Sequence, residues 1–186
     1  MLDQRLNRRL FLKAALAGIA LLASERCVLA KPAPIPKFPV GSLSLYNIHN
    51  GERLQTTFRT PAGDYDPEAL KAINWILRCH YTNEVMEIDV KTLEILNSID
   101  KKLGGGHEIR VISGYRSPAY NSLLRREGRH VARHSLHLTG QAIDVHLPGI
   151  PLETVRRVAL NLHGGGVGYY PGAGFVHVDS GPVRSW

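Results

Sequence analysis

The chain has 186 residues, 44% of them apolar, and carries a formal net charge of +7 at neutral pH. This length and apolar fraction suit one globular domain with its own core. The basic residues are not gathered into the basic and aromatic clusters of nucleic-acid-binding proteins, so we expect no nucleic acid as a partner.

The first 30 residues have the pattern of an export signal. Arg5, Arg8 and Arg9 precede an uncharged run from residue 14 to residue 24, and Val28-Leu29-Ala30 offers a small-residue cleavage site. The pair Arg8-Arg9 resembles a twin-arginine signal, and an ordinary secretory signal with a basic start is the alternative. On either interpretation we expect an exported, periplasmic protein, and the apolar run is too short for stable insertion in the membrane.

Cleavage after Ala30 would change the charge and the cysteine count of the protein. Residues 1–30 hold five basic and two acidic residues, which leaves 18 basic and 14 acidic residues and a net charge of +4. That charge suits a polyanionic polymer of the cell envelope as a partner. Cys79 is then the only cysteine, so no intramolecular disulfide can form in an oxidising compartment.

The domain is predicted to begin after a proline-rich stretch. Residues 31–42 indicate an extended spacer, and residues 43–186 are expected to form the domain. Residues 43–58 alternate in polarity around Asn50-Gly51, which is a strong hairpin signal. We therefore predict that a two-stranded hairpin opens the domain.

Two helices are predicted after the hairpin. Asp66 and Pro67 have the residue types of an N-cap and a first helical position. The first helix is expected to bury a stripe made of Leu70, Ile73, Trp75, Ile76 and Leu77. Residues 89–103 predict the second helix, which a run of three glycines ends.

Strands and helices alternate in the rest of the chain. Strands are predicted at residues 108–113, 141–147, 166–170 and 174–179, and helices at residues 117–126 and 151–162. This order indicates an α+β domain with a small, mostly antiparallel sheet flanked by helices.

Three residues near the last strands have the side chains of a metal site. Strand alternation places Asp144 opposite the apolar face of its strand, and His177 likewise, while His137 precedes the first of these strands. Unpaired Asp and His on core-forming strands are costly to bury without a cation, so we predict that His137, Asp144 and His177 bind a metal ion. Imidazole and carboxylate favour Zn²⁺. Three protein ligands leave a fourth position for water, as in catalytic zinc sites.

A family resemblance rests on these motifs. The pattern Ser135-x-His137-x-x-Gly140-x-Ala142-x-Asp144, with His177 downstream and Gly114-Tyr-Arg-Ser117 upstream, resembles the zinc peptidases of the D-Ala-D-Ala carboxypeptidase and VanX dipeptidase superfamily. Hedgehog signalling domains share the fold of that superfamily. The ending, from Gly165 to Trp186, is similar to the exported murein endopeptidase K branch. The resemblance covers residues 43–186.

The resemblance implies a Hedgehog-like fold and roles for four residues. It makes His137, Asp144 and His177 the zinc ligands. It makes Arg116 the cation that binds a peptide carbonyl or carboxylate and stabilises the tetrahedral intermediate, which suits a planar guanidinium. A surface or helix-capping role is the alternative for Arg116.

The chain departs from the family pattern at the general base. VanX-type dipeptidases and related phage endolysins place a glutamate three residues before the last histidine ligand, and this chain has Gly174 there. Asp179, on the face of His177, and His134, just before the motif, are the candidate bases. Asp179 can instead orient a ligand histidine, and we expect His146 to be structural or to act in the same way.

These observations predict a zinc-dependent endopeptidase that hydrolyses the peptide cross-links of peptidoglycan, and a monomer is expected. A zinc-stabilised wall-binding module without catalysis is the alternative from another class, since Gly174 stands where the base is expected. A D-Ala-D-Ala carboxypeptidase is a third interpretation, and it differs only in substrate.

Overall fold

The computed structural model describes residues 39–129 and 131–186. The predicted export signal and most of the predicted spacer lie outside the described residues. No helix in the described ranges is both long and apolar enough to cross a bilayer.

The predicted hairpin is confirmed at the start of the described chain. Strand β1, Gly41–Asn47, pairs antiparallel with β2, Arg53–Arg59. The turn between them contains Gly51 with a φ of +75°, a left-handed conformation that glycine adopts without a Cβ clash. β1 begins at Gly41, within the last residues of the predicted spacer.

Both helices predicted next are present, with one error in the buried stripe. Helix α1 spans Pro67–Ile76 and α2 spans Val90–Lys102. The side chain of Asp66 accepts hydrogen bonds from the first turn of α1, as expected for its N-cap. The expectation that Trp75 is buried was wrong, because this residue is 54% exposed. The Arg78 guanidinium lies 4.1 Å from its ring centroid. Two residues correspond to about 200° around a helix, so Trp75 lies opposite the buried Ile73.

The remaining elements follow the predicted order closely. They are β3 (Glu108–Ser113), α3 (Pro118–Arg126), β4 (Ala142–His146), α4 (Leu152–Leu162), β5 (Gly166–Tyr170) and β6 (Phe175–Asp179). Two further elements were not predicted, a 3₁₀-helix at Leu136–Thr139 and strand β7 at Arg184–Ser185. Both are too short to show a period in the sequence.

The described strands form one sheet in the order β2-β1-β3-β4-β6-β5-β7. The α+β class is confirmed, but the sheet is mixed and has seven strands, so the expectation of a small, mostly antiparallel sheet was wrong. β1 pairs parallel with β3, and β5 pairs parallel with β7. β1 and β3 can be parallel because β2, α1 and α2 lie between them in the chain and carry it back across the sheet.

The two faces of β4 and β6 differ in chemistry, as the alternation predicted. Ile143 and Val145 on β4, with Val176 and Val178 on β6, are fully buried in the main hydrophobic core. Apolar residues of α2 and α4 belong to the same core, and these two helices contact each other and β6. The opposite face of the two strands carries the polar side chains of the candidate site.

Candidate metal centre

The pairing of β4 with β6 places Asp144 directly opposite His177. Residues opposite each other in an antiparallel pair project from the same face. His177 Nδ1 lies 2.8 Å from Asp144 Oδ1, and both residues are buried. The two strands therefore supply two of the three predicted ligands side by side.

The third residue, His137, comes from the 3₁₀-helix that leads into β4. Its backbone N–H donates to the side chain of Ser135, and the helix ends at Gly140 with a φ of +68°. His137 Nδ1 lies 2.8 Å from the carbonyl oxygen of Gly114. A carbonyl only accepts hydrogen bonds, so Nδ1 carries the proton and Nε2 is left with its lone pair. This tautomer aims Nε2 at the other two side chains.

The three donor atoms are close enough to hold one metal ion. His137 Nε2 lies 3.2 Å from His177 Nδ1 and 3.3 Å from Asp144 Oδ1. Zinc bonds of about 2.0 to 2.1 Å in a tetrahedral site require donor atoms about 3.3 Å apart. Two separations match this requirement, and the third, 2.8 Å between His177 and Asp144, is that of a hydrogen bond. The donor set and its spacing fit zinc.

Asp179 accepts a hydrogen bond from Nε2 of His177, the ring nitrogen that does not face Asp144. Asp179 Oδ2 lies 3.1 Å from His177 Nε2, on the side of the ring away from Asp144. Asp179 also accepts hydrogen bonds from the backbone N–H groups of Gly166 and Gly181, and from both terminal nitrogens of Arg184. A carboxylate with this many donors fixes the imidazole and leaves Nδ1 for a metal.

The surroundings of the two carboxylates, Asp144 and Asp179, lower the pKa of each. Burial favours the neutral form of Asp144, but His137 and His177 outweigh it and hold the pKa of Asp144 below its usual range. Burial acts in the same way on Asp179, and hydrogen bonds from His177 and Arg184 keep its pKa low. A general base works best with a pKa near the working pH, so these surroundings favour an orienting role for Asp179.

Arg116 lies beside the triad with its hydrogen-bonding capacity largely unused. Burial lowers the pKa of its guanidinium, and the charge of Asp144, 3.7 Å away, opposes that change. Its bonds to Asn121 and Ser113 are long, 3.4 Å each. Its buried Nε has no partner among the described residues. A buried cation with weak partners is suited to bind an anionic oxygen.

The alternative roles of Arg116 do not agree with its position. It is 7% exposed, so it is not a surface residue. Ser117 caps α3, because its side chain accepts the hydrogen bond from the N–H of Tyr120.

The triad and Arg116 open into a cleft of about 520 Å³, which His134 also lines. His134 is exposed and reaches this cleft from the loop before the 3₁₀-helix. His146 is not directed at the triad: its ring contacts the carbonyl oxygen of Gly174 at 3.1 Å, in the turn before β6. Gly174 has a φ of +76°, which disfavours a glutamate at this position on backbone grounds as well.

Three residues that line the cleft were not singled out by the sequence. Tyr170 comes from β5, and Arg184 and Trp186 come from the β7 segment, residues 184–186, which comprises β7 and the residue after it. Arg184 and Trp186 are separated by one residue, the spacing of a strand face, but a two-residue strand is too short for that signal to be recognised.

The His-Asp-His triad is buried beside a guanidinium and faces a cleft. In an α+β domain, this arrangement is typical of a metal-dependent hydrolase. Residues 38–186 match the Peptidase_M15_2 family model, described as peptidoglycan L,D-endopeptidase MepK, and the chain belongs to this family. The membership confirms the resemblance to the murein endopeptidase K branch.

Curated relatives match over nearly their whole length. The chain is 40% identical to the peptidoglycan L,D-endopeptidase MepK of Escherichia coli K12, over 97% of each chain. It is 38% identical to the "Probable peptidoglycan L,D-endopeptidase MepK" of Haemophilus influenzae, over 99% of this chain and 96% of that protein. No solved structure matches the chain significantly.

Proposed function

We propose that this protein is a zinc-dependent endopeptidase that hydrolyses the peptide cross-links of peptidoglycan. The L,D-endopeptidase activity in the names of its relatives supports L,D bonds as the ones that it cleaves. The observation that carries the proposal is the convergence of His137 Nε2, Asp144 Oδ1 and His177 Nδ1 within 2.8 to 3.3 Å of one another. These three atoms would hold the zinc. Bound zinc lowers the pKa of water towards about 7 and polarises the scissile carbonyl.

Arg116 binds the substrate oxygen that becomes negative during hydrolysis. Its guanidinium is buried next to Asp144, and its long bonds to neighbouring side chains leave donors for that oxygen. Such a donor acts most strongly where water is excluded, because the surrounding dielectric constant is low.

His134 is the proposed general base. It takes a proton from the attacking water and delivers it to the leaving amine nitrogen. Its exposure within the cleft and the absence of a side chain at Gly174 support this role. Asp179 is buried and bonded to Arg184 and His177, which supports the orienting role instead.

The proposed location follows from the N-terminal sequence and from the substrate. Residues 1–30 act as an export signal of the twin-arginine type, the proline-rich residues that follow act as a spacer, and the chain from the start of β1 acts as the peptidase domain. The protein then works as a monomer in the periplasm, where peptidoglycan is found. The proposed fold is that of the Hedgehog and D-Ala-D-Ala peptidase group, which the motif around His137 and Asp144 supports.

The test incubates the purified, zinc-loaded protein with intact murein and separates the muropeptides by mass spectrometry. Dimers joined through L,D bonds should disappear, and His177→Ala should abolish their loss. His163→Asn is the matched control, because His163 is exposed, does not line the cleft and has a left-handed backbone that asparagine tolerates. Unchanged dimers under conditions where a known endopeptidase is active would contradict the proposal.

A wall-binding module is the second candidate, since Gly174 provides no carboxylate. It predicts that the parent protein and a folded His177→Ala variant both bind sacculi and that neither cleaves them. Release of free D-alanine without loss of dimers would instead identify a D-Ala-D-Ala carboxypeptidase.

A further inference from the structure

We propose that Tyr170 contacts the substrate, donating a hydrogen bond from its hydroxyl to the scissile carbonyl oxygen, and that the indole of Trp186 positions it. The inference rests on the proposed endopeptidase function. It identifies Tyr170 as a second hydrogen-bond donor in the cleft, in addition to Arg116. It also makes Trp186, in the β7 segment, a positioning residue for that donor.

The sheet register directs Tyr170 towards the metal centre. Gly168 of β5 lies opposite His177, and Tyr170 lies opposite Phe175. Residues two apart on a strand share a face, so Tyr170 projects from the same face as His177. Its ring stacks on Phe175 with centroids 4.6 Å apart and lines the cleft that contains Arg116.

The hydroxyl of Tyr170 is held by a donor, which determines where its own proton can go. Trp186 Nε1 lies 2.7 Å from Tyr170 Oη. An indole N–H only donates, so the phenol oxygen accepts this bond and keeps its proton for another acceptor. Within residues 39–129 and 131–186, no hydrogen-bond acceptor engages that proton. The proton is therefore available to a molecule bound in the cleft.

Trp186 is itself fixed in place by the sheet. Its backbone N–H donates to Val167, and its carbonyl accepts from Tyr169, at 3.2 and 3.0 Å. The indole packs directly on Gly168, where a Cβ would lie 2.8 Å from the ring. Its centroid is 5.3 Å from that of His177. The donor pair is thus assembled before any substrate binds.

The chemistry of amide hydrolysis gives this donor a function. When water adds to the carbonyl carbon, the carbonyl oxygen gains negative charge, and a preorganised donor stabilises that charge. Tyr170 supplies a hydrogen bond and does not lose its proton, so no further acceptor is required. Arg116 and Tyr170 line the same cleft, and we expect both to donate to the carbonyl oxygen.

Tyr170→Phe removes the hydroxyl alone and is the central test. With an L,D-linked muropeptide dimer as substrate, kcat should fall about 100-fold. KM and zinc content should stay within about twofold, and affinity for a phosphinate analogue of the dimer should fall with kcat. Tyr169→Phe is the matched control: Tyr169 is on the same strand but on the other face, with the Arg156 guanidinium 5.0 Å from its ring. It should retain parental kinetics.

Trp186→Phe tests the positioning role, because phenylalanine keeps an aromatic ring but has no N–H. This variant should lose about tenfold in kcat, and the double variant with Tyr170→Phe should be no slower than Tyr170→Phe alone. Multiplicative losses would overturn the positioning role of Trp186.

The outcomes separate this inference from the function on which it rests. A parent protein that cleaves no cross-link would overturn the proposed function and the inference together. An active parent with a fully active Tyr170→Phe variant would overturn the inference alone, as would a variant whose lost activity follows lost zinc.

Discussion

Arg184 and Asp179 form a two-point ion pair, with N···O distances of 2.7 and 3.1 Å, immediately behind His177. Asp179 is completely buried, so this pair is shielded on the carboxylate side. The guanidinium and the carboxylate meet through parallel bonds, a geometry that restrains both groups. The orientation of His177 therefore depends on a residue of the last strand.

Asp179→Asn should weaken zinc binding about 10- to 100-fold, because an amide is a weaker acceptor for the His177 ring and no longer balances Arg184. Competition with a chelator measures the affinity. Glu153→Gln, which alters only an exposed ion pair on α4, is the control and should leave affinity unchanged. If zinc affinity stays normal while activity of the zinc-saturated variant is lost, Asp179 is the general base instead.

Arg116→Lys should lower kcat/KM about 100-fold or more at unchanged zinc content. Lysine keeps the charge but lacks the planar set of donors that can bind a carbonyl oxygen and its neighbour together. Steady-state cleavage of an L,D-linked dimer is the measurement. Arg156→Lys, a partly exposed change on α4, should show parental kinetics. Equal rates for the two lysine variants would remove Arg116 from the mechanism.

Gly140→Ala should destabilise the protein more than Gly149→Ala. Both glycines have positive φ, +68° and +80°, so both alanines bear a backbone cost of about 1 to 2 kcal/mol. At Gly140 the new Cβ would also lie 2.3 Å from the carbonyl oxygen of Glu87, whereas nothing lies within 4 Å at Gly149. Urea unfolding should show an additional loss of about 2 kcal/mol for Gly140→Ala. Equal losses would show that the loop before β4 yields to the new methyl group.

His80 should make the metal-free protein less stable in mild acid. Burial lowers the pKa of His80 to about 4, with further contributions from His49, stacked at 3.6 Å, and Arg116. Between this value and its unfolded pKa of about 6.5, the unfolded chain binds more protons. The free energy of unfolding should therefore fall as the pH decreases from 6.5 to 4, by at most about 1.4 kcal/mol per unit.

His80→Phe tests this origin, because phenylalanine keeps the ring contacts with His49 and Tyr120 but does not titrate. The variant also loses the hydrogen bond between His80 Nε2 and the Tyr120 hydroxyl, so the change with pH is compared and not the stability at one pH. Urea midpoints at pH 7.5 and pH 5 should differ less for this variant than for the parent. Parallel pH dependences would assign the acid sensitivity to other groups.

Local sequence patterns predicted most of the helices and strands correctly. The wrong prediction of burial for Trp75 shows the limit of a prediction made from apolar character alone. The N-caps Asp66 and Ser117 act through bonds within one helical turn, which neighbouring residues determine. Trp75 was included with Ile73 and Leu77 because it is apolar, but helix geometry carries it to the opposite side. Apolar character predicts burial only when the period also agrees.

Residue types and local periodicity were sufficient to identify the three candidate metal ligands. The alternation around Asp144 and His177 places both side chains on the polar faces of short strands, because a strand turns successive side chains to opposite faces. His137 was recognised by residue type and by its place before the strand, and the 3₁₀-helix that carries it was not predicted. Three other relationships depend on the folded chain: β4 lies beside β6, Arg184 pairs with Asp179, and Trp186 donates to Tyr170. These contacts join residues from separate strands, and their formation depends on how the strands are ordered in the sheet, which no local period encodes.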